Sequence, residues 1–232
     1  MNILGVIPAR GGSKEIKNKN LLKLNNKTLI EIAIKNSNKS KLINKLIFSS
    51  DSKKLIKEAK KFKIDIPFVR PEKLATDTAS SFSVLKHAVN FFEKKYNWVT
   101  DIVVLLQPTT PFRTGKIIDQ TINILIKNNN IDAAMTIRKP DYPPHWMIQR
   151  EGRKLKSLIK NGNRFLSRQK TPIVYQPAGS VYAIRKKFLF SIKNLLPQGN
   201  TLGIEVTKKD SINIDSKVDY LVAKSLAKKI KK

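Results

Sequence analysis

The 232-residue chain carries 46 lysines and arginines against 17 acids, a net charge of +29, with 41% hydrophobic residues and no cysteine. Disulfides and thiolate metal sites are therefore excluded, a core is affordable, and no apolar run nears the roughly 18–20 residues that cross a bilayer. The basic charge is mostly lysine, scattered beside abundant Asn and Ile, which fits an A/T-rich codon bias better than a nucleic-acid footprint, while still steering anionic substrates inward.

The predicted elements alternate. Residues 2–8 form a short buried strand, 28–40 have helical spacing with Thr28 as a possible N-cap, and 45–50 form a strand. Ser-Ser-Asp then caps a helix over 52–63. A short strand over 65–69 precedes an amphipathic helix over 79–96. Residues 101–107 are the clearest buried strand, followed by a helix over 115–127 and a strand over 132–137. Regularity breaks at KPDYPPHW (139–146), and residues 155–167 contain an Asn-Gly turn signal. Residues 179–186 return to strand, 201–206 and 211–214 add short strands, and 215–230 close with a helix. This βαβ series predicts one α/β domain over 1–232, a mostly parallel sheet with helices on both faces, and an excursion over 139–176.

Ligands of such sheets bind beyond the carboxyl ends of the strands. The segments found there are ARGGSKEIKNKN, SSDS, RPEKLATDTASS and QPTTPFRT, all polar. The first is neither a P-loop nor a G-x-G-x-x-G turn. Gly11 and Gly12 allow close backbone approach, so their amides could form an anion nest, with Arg10, Lys14 and Lys19 supplying charge. Taken alone, the same stretch reads equally as a solvated basic turn.

IPARGGSK with KNKN, RPEKLATDTASS, LLQPTTPFRT, RQKTPIVYQPAGSVYAI and SINID resemble, in order, the motifs of the acylneuraminate cytidylyltransferases. The resemblance spans residues 3 to 220. It implies a Rossmann-like nucleotidyltransferase fold, three-layered α/β/α. It also implies transfer of CMP from CTP to a nine-carbon 2-keto sugar acid, with release of pyrophosphate. On the same ground, Arg10, Gly11, Gly12, Ser13, Lys14 and Lys19 hold the phosphates, and Arg70 and Ser81 help hold the cytidine. Gln107, Thr109, Thr110, Arg113 and Tyr182 face the sugar. Arg168 and Gln169 are candidates for its carboxylate and N-acyl groups, reached from a partner in a homodimer built by the excursion. Asp215 is the expected ligand of Mg²⁺ (or Mn²⁺), with Arg10 and Lys19 as its catalytic companions. Ser81 reads equally as a first-turn hydroxyl, Asp215 as an N-cap of the last helix, and Thr110 or Thr114 as the cap of the helix at 115. Asp51 and Asp77 are weaker metal candidates, and Asp77 reads better as a loop-ordering acid.

The chain departs from the family pattern at Glu15, where Gly is usual and which should point away or pair with Lys17. It departs again at Asn213, where an Asp is usual, and at Gln176 and Ala178, where Arg and Asn are usual. His145 beside Trp146 reads as a packed pair, with contact to the sugar acid as the alternative. Rival readings are an enzyme for an eight-carbon 2-keto-3-deoxy acid, an inactive nucleic-acid-binding homologue, and a glycosyltransferase, whose D-x-D motif is missing. MNILGVIPAR lacks the features of a secretory signal, so a cytoplasmic chain is expected, with no membrane insertion and no nucleic-acid partner.

Overall fold

Alternating aliphatics make the first strand double-faced: Ile3 and Ile7 point into one core, Leu4 and Val6 into another. In the computed structural model, which describes residues 1–12, 15–192 and 197–229, this strand is β1 (Ile3–Pro8). A tight hairpin follows, β2 (Lys23–Leu24) and β3 (Lys27–Thr28), turning at Asn25 and Asn26, both at positive φ. Then come α1 (Leu29–Ser37), β4 (Lys45–Ser49), α2 (Lys53–Lys60), α3 (Ser81–Tyr96) and β5 (Ile102–Leu105). They are followed by α4 (Gly115–Lys127), β6 (Ala133–Arg138), β7 (Ile148–Glu151) and β8 (Lys154–Ser157). The chain ends with β9 (Gln176–Arg185), α5 (Lys186–Ser191), β10 (Thr201–Glu205) and α6 (Lys217–Lys229).

Six strands form one sheet in the order β10-β6-β9-β5-β1-β4. It is mostly parallel, as predicted; β9 alone runs antiparallel to its neighbours β5 and β6. α1, α2 and α4 cover one face through Ile30, Ile34, Leu55, Ile118 and Leu125. α3 and α5 cover the other through Phe82, Leu85, Val89, Phe92 and Leu189. The three layers follow from strands that are apolar on both sides. A smaller core joins α6 to the β2–β3 hairpin through Leu24, Ile214, Ala223 and Ala227.

Two predicted strands are not formed. Residues 65–69 make only an isolated bridge, Ile47 to Asp65, because Pro67 has no N–H to continue a ladder. Residues 211–214 are not a strand either; the Ile214 N–H donates to the Thr109 carbonyl at 2.8 Å, tying this segment to the loop after β5. Conversely, the β7–β8 hairpin inside the excursion was not predicted. It turns at Gly152 (φ +61) and all eight of its strand residues are exposed.

Helix starts follow local chemistry. The hydroxyls of Thr28, Ser52, Ser80 and Thr114 accept from the backbone N–H three residues on. α6 starts at a reciprocal cap: Ser216 Oγ accepts from Asp219 N at 3.2 Å, and Asp219 Oδ2 accepts from Ser216 N at 2.7 Å and Asp215 N at 3.1 Å. Ser216, not Asp215, is thus the N-cap. Burial pulls the Asp219 carboxyl up, but the Ser216 and Asp215 donors outweigh it and hold it below its ordinary value of 3.8. A depressed carboxylate stabilises above its unfolded pKa, and that stability is lost as pH falls through the folded one. Asp219→Ala is expected to cost about 1 kcal/mol at neutral pH. In urea unfolding the gap to the parent should close as pH drops below 3.8.

Candidate functional site

The carboxyl ends of β1 and β5, the segment after β4 and the stretch before α6 converge on an open cleft of about 550 Å³. That volume suits a ligand. Among the described residues three cations, Arg10, Lys19 and Arg70, line it together with three acids, Glu15, Asp77 and Asp215. Arg10 Nη1 pairs with Asp77 Oδ1 at 2.5 Å, so Asp77 orders the second loop, as its loop position suggests. Lys19 Nζ donates to Asp215 Oδ1 at 2.8 Å. Arg70 is buried; its Nε donates to Ser49 Oγ at 3.1 Å and its Nη2 to the Ser49 carbonyl. Burial pushes its guanidinium down to about 10, Asp51 working against the shift and Arg10 with it. It remains charged at neutral pH.

Other predicted residues meet here too. Ser81, Gln107 and Thr109 line the same cleft. Ser81 is the first helical residue of α3, behind the cap Ser80. Sequence reasoning passed over Asn20, which is buried on this wall and donates from Nδ2 to the Arg10 carbonyl at 3.3 Å. Its only signal was a second Asn in KNKN.

Several expectations need correction. The Gly11 N–H donates to Asp51 Oδ1 at 3.1 Å, so it is not free to form an anion nest. A Cβ at Gly11 would lie 2.9 Å from the Ser52 Cβ, so glycine serves close packing of two loops there. Neither Gly11 nor Gly12 lines the cleft. Asp51 is thereby a loop brace. Ser13 and Lys14 lie outside the described residues. Glu15 does not turn away but lines the cleft.

Arg113 and Thr110 also fail to line it. Arg113 is fully buried, and its Nη1 donates to the Gln107 carbonyl, Thr110 Oγ1 and the Ser180 carbonyl at 3.0, 2.9 and 3.0 Å. These acceptors turn the side chain into the protein. Burial lowers its guanidinium to about 9, and it stays cationic. Thr114, not Thr110, caps α4.

A second cavity of about 500 Å³ adjoins the first, and Gln107 and Asn213 line both. Tyr182 lies on it, its phenol raised by burial, beside Ala178 and Gly179. Gly179 has φ +72, which a side chain would strain. Arg168 and Gln169 lie elsewhere, on a hollow of about 310 Å³ with Pro143 and Ile173. Within one chain they are not at the cleft. His145 is a packed residue: it is buried with its ring 5.0 Å from that of Phe165, whose carbonyl accepts from Trp146 Nε1 at 2.7 Å.

The arrangement suits a polyanion held beside a second polar ligand. Comparisons with known proteins agree. Residues 4–222 match the family model described as Cytidylyltransferase. The chain is 30% identical over 227 residues to "Post-translational flagellin modification protein B" of Campylobacter coli, covering 97% of this chain and 95% of that one. It is 27% identical over 228 residues to a CMP-N,N'-diacetyllegionaminic acid synthase of Legionella pneumophila, covering 97% and 96%. It is 27% identical over 227 residues to an N-acylneuraminate cytidylyltransferase of Escherichia coli O18:K1:H7, covering 98% of this chain and about half, 52%, of the relative. Among solved structures, a CMP:2-keto-3-deoxy-manno-octonic acid synthetase complexed with CTP superposes with a TM-score of 0.73 over 99% of this chain and 100% of that chain. At 14% identity that likeness shows the fold alone.

Proposed function

The chain belongs to the cytidylyltransferase family, and on that premise we propose that it transfers CMP from CTP to the anomeric hydroxyl of a nine-carbon 2-keto sugar acid. The observation that carries this is the pair of cavities sharing Gln107 and Asn213, one of them lined by Arg10, Lys19 and Arg70 beside the carboxylate of Asp215. Donor and acceptor would meet at that shared wall. The relatives named for sialic and legionaminic acids favour the nine-carbon class over the eight-carbon one.

In this reading Arg10 and Lys19 draw the triphosphate into place, and Arg70 and Ser81 stand on the cytidine side. Gln107 and Tyr182 face the acceptor, with Thr109 beside Gln107 at the edge of the nucleotide cleft. The acceptor hydroxyl oxygen bonds to the α-phosphorus, the bond from that phosphorus to the pyrophosphate oxygen breaks so that pyrophosphate leaves, and the hydroxyl proton passes to solvent. Fixed cations stabilise charge that develops on the phosphates.

Among the described residues no group of three His, Cys, Asp or Glu could hold a metal. Mg²⁺ does not need one: it keeps waters and binds through one or two carboxylates plus substrate phosphates. Asp215 fits that demand, with an exposed carboxylate on the cleft. Beside it, Asn213 donates from Nδ2 to Asp215 and leaves its Oδ1 without a partner. Mg²⁺ or Mn²⁺, when bound, would neutralise phosphate charge there.

The excursion supports a homodimer. Tyr142, Ile148, Leu155, Leu166 and Ile173 are all exposed on it, a density of apolar surface that normally marks an interface. Across such a dimer Arg168 and Gln169 would reach the partner's sugar acid. No described helix is long and apolar enough to cross a membrane. Incubation with CTP, Mg²⁺ and a panel of sialic, legionaminic, pseudaminic and 3-deoxy-octulosonic acids should release pyrophosphate with a nine-carbon member. Release with the eight-carbon acid alone would favour the rival, and no release from any would overturn the reading.

A further inference from the structure

The second cavity has a wall that nucleotide binding leaves unused. The pairing of β6 with β9 sets Arg138 opposite Gln176. With its amide oxygen turned to the guanidinium, Gln176 accepts from Arg138 Nε at 3.0 Å and Nη2 at 2.6 Å. Arg138 Nη1 donates to the Lys139 carbonyl at 3.1 Å and reaches Asp141 Oδ2 at 3.5 Å. Lys208 Nζ donates to Asp141 Oδ1 at 2.6 Å. One carboxylate thus bridges two cations, and all four side chains line the cavity. The other acid on that lining, Asp219, is committed to the cap of α6.

Exposure separates the parts. Arg138 is 20% exposed and clamped, whereas Asp141 is 45% and Lys208 77% exposed. Exposed ion pairs contribute little, so the bridge opens cheaply. The Lys208 hydrogen bond, with the charges of Lys208 and Arg138, holds the Asp141 carboxyl below its ordinary value despite some burial. A carboxylate is therefore the species these cations favour. Gln176, where the family usually has Arg, acquires a purpose in this arrangement.

We propose that Arg138 and Lys208 read the carboxylate of the acceptor acid, that Asp141 holds its place until it arrives, and that Gln176 is the positioning residue that aims Arg138. The inference rests on the reading of the chain as a CMP transferase for sugar acids. The panel acid giving most pyrophosphate with the parent enzyme serves as the probe. Arg138→Gln and Lys208→Met are expected to raise the KM for that acid about tenfold, as loss of a charge-assisted hydrogen bond does, with the CTP KM unmoved. Gln176→Ala raises it less than Arg138→Gln. Asp141→Asn lowers it, because the competing carboxylate is gone; a purely structural bridge predicts the opposite. Should Arg138→Gln fail to fold, the exposed Lys208→Met and Asp141→Asn carry the test. An acid KM unchanged in Lys208→Met, or raised in Asp141→Asn, overturns the inference while the functional reading stands. A parent enzyme that releases no pyrophosphate with any acid sinks the functional reading, and this inference with it.

Discussion

Replacing Lys19 by alanine is expected to lower kcat/KM for CTP by about 10²–10³, the usual loss when one preorganised charge is removed from a developing oxyanion. Lys19 is 17% exposed and held, while its partner Asp215 is 62% exposed and open to a ligand. The pair fixes the ammonium beside the cleft before any phosphate arrives, so no reorganisation is needed when it does. Asp215→Ala should also cut the rate, and the double variant should lose less than the product of the two, because residues in contact couple. Lys17 supplies the control. It is exposed in the same loop and does not line the cleft, so Lys17→Ala should leave the rate alone. Equal losses at Lys17 and Lys19 would mean that only the bulk charge of +29 matters. Pyrophosphate release at varied CTP decides between them.

The sheet was readable wherever a strand is apolar on both faces, as in β1 and β5, and helix starts were readable where a hydroxyl precedes the periodic run, as at Thr28 and Thr114. The cleft was readable because its walls are the loops at the carboxyl ends of strands. What stayed hidden depends on partners distant in sequence. Nothing near Gly11 announces that its amide will meet Asp51, 40 residues on. The Arg138–Gln176 clamp needs the β6–β9 register, which an irregularity between Met135 and Ile137 shifts. The hairpin of β7 and β8 buries nothing in one chain, so it gave no hydrophobic signature to read. Glu15 shows the converse: charge repulsion from a triphosphate argued that it turn away, yet the loop carries it onto the cleft wall.

Arg113 makes the same point with the largest expected effect on stability. Its place in LLQPTTPFRT suggested a hand on the sugar, but one of its acceptors, the Ser180 carbonyl, lies 67 residues away on β9. The side chain therefore staples the loop after β5 to the central antiparallel strand. Arg113→Ala removes a donor to three oxygens; the Gln107 carbonyl keeps the Thr110 hydroxyl at 3.0 Å, while the buried oxygens of Thr110 and Ser180 lose the guanidinium. Each orphaned acceptor costs about 1 kcal/mol or more, and a cavity adds to that. Two guanidinium nitrogens, Nε and Nη2, already lack partners, so relief of that desolvation offsets part of the loss. A net destabilisation of about 3 kcal/mol remains, or a fall in Tm of about 6–12 °C at this chain length. Arg113→Lys keeps the charge without the fork and should recover only part of it. Because the Gln107 carbonyl anchors a residue shared by both cavities, activity should fall below what the loss of folded protein explains. A Tm within about 2 °C of the parent for Arg113→Ala would show that the Thr110 and Ser180 oxygens find other donors.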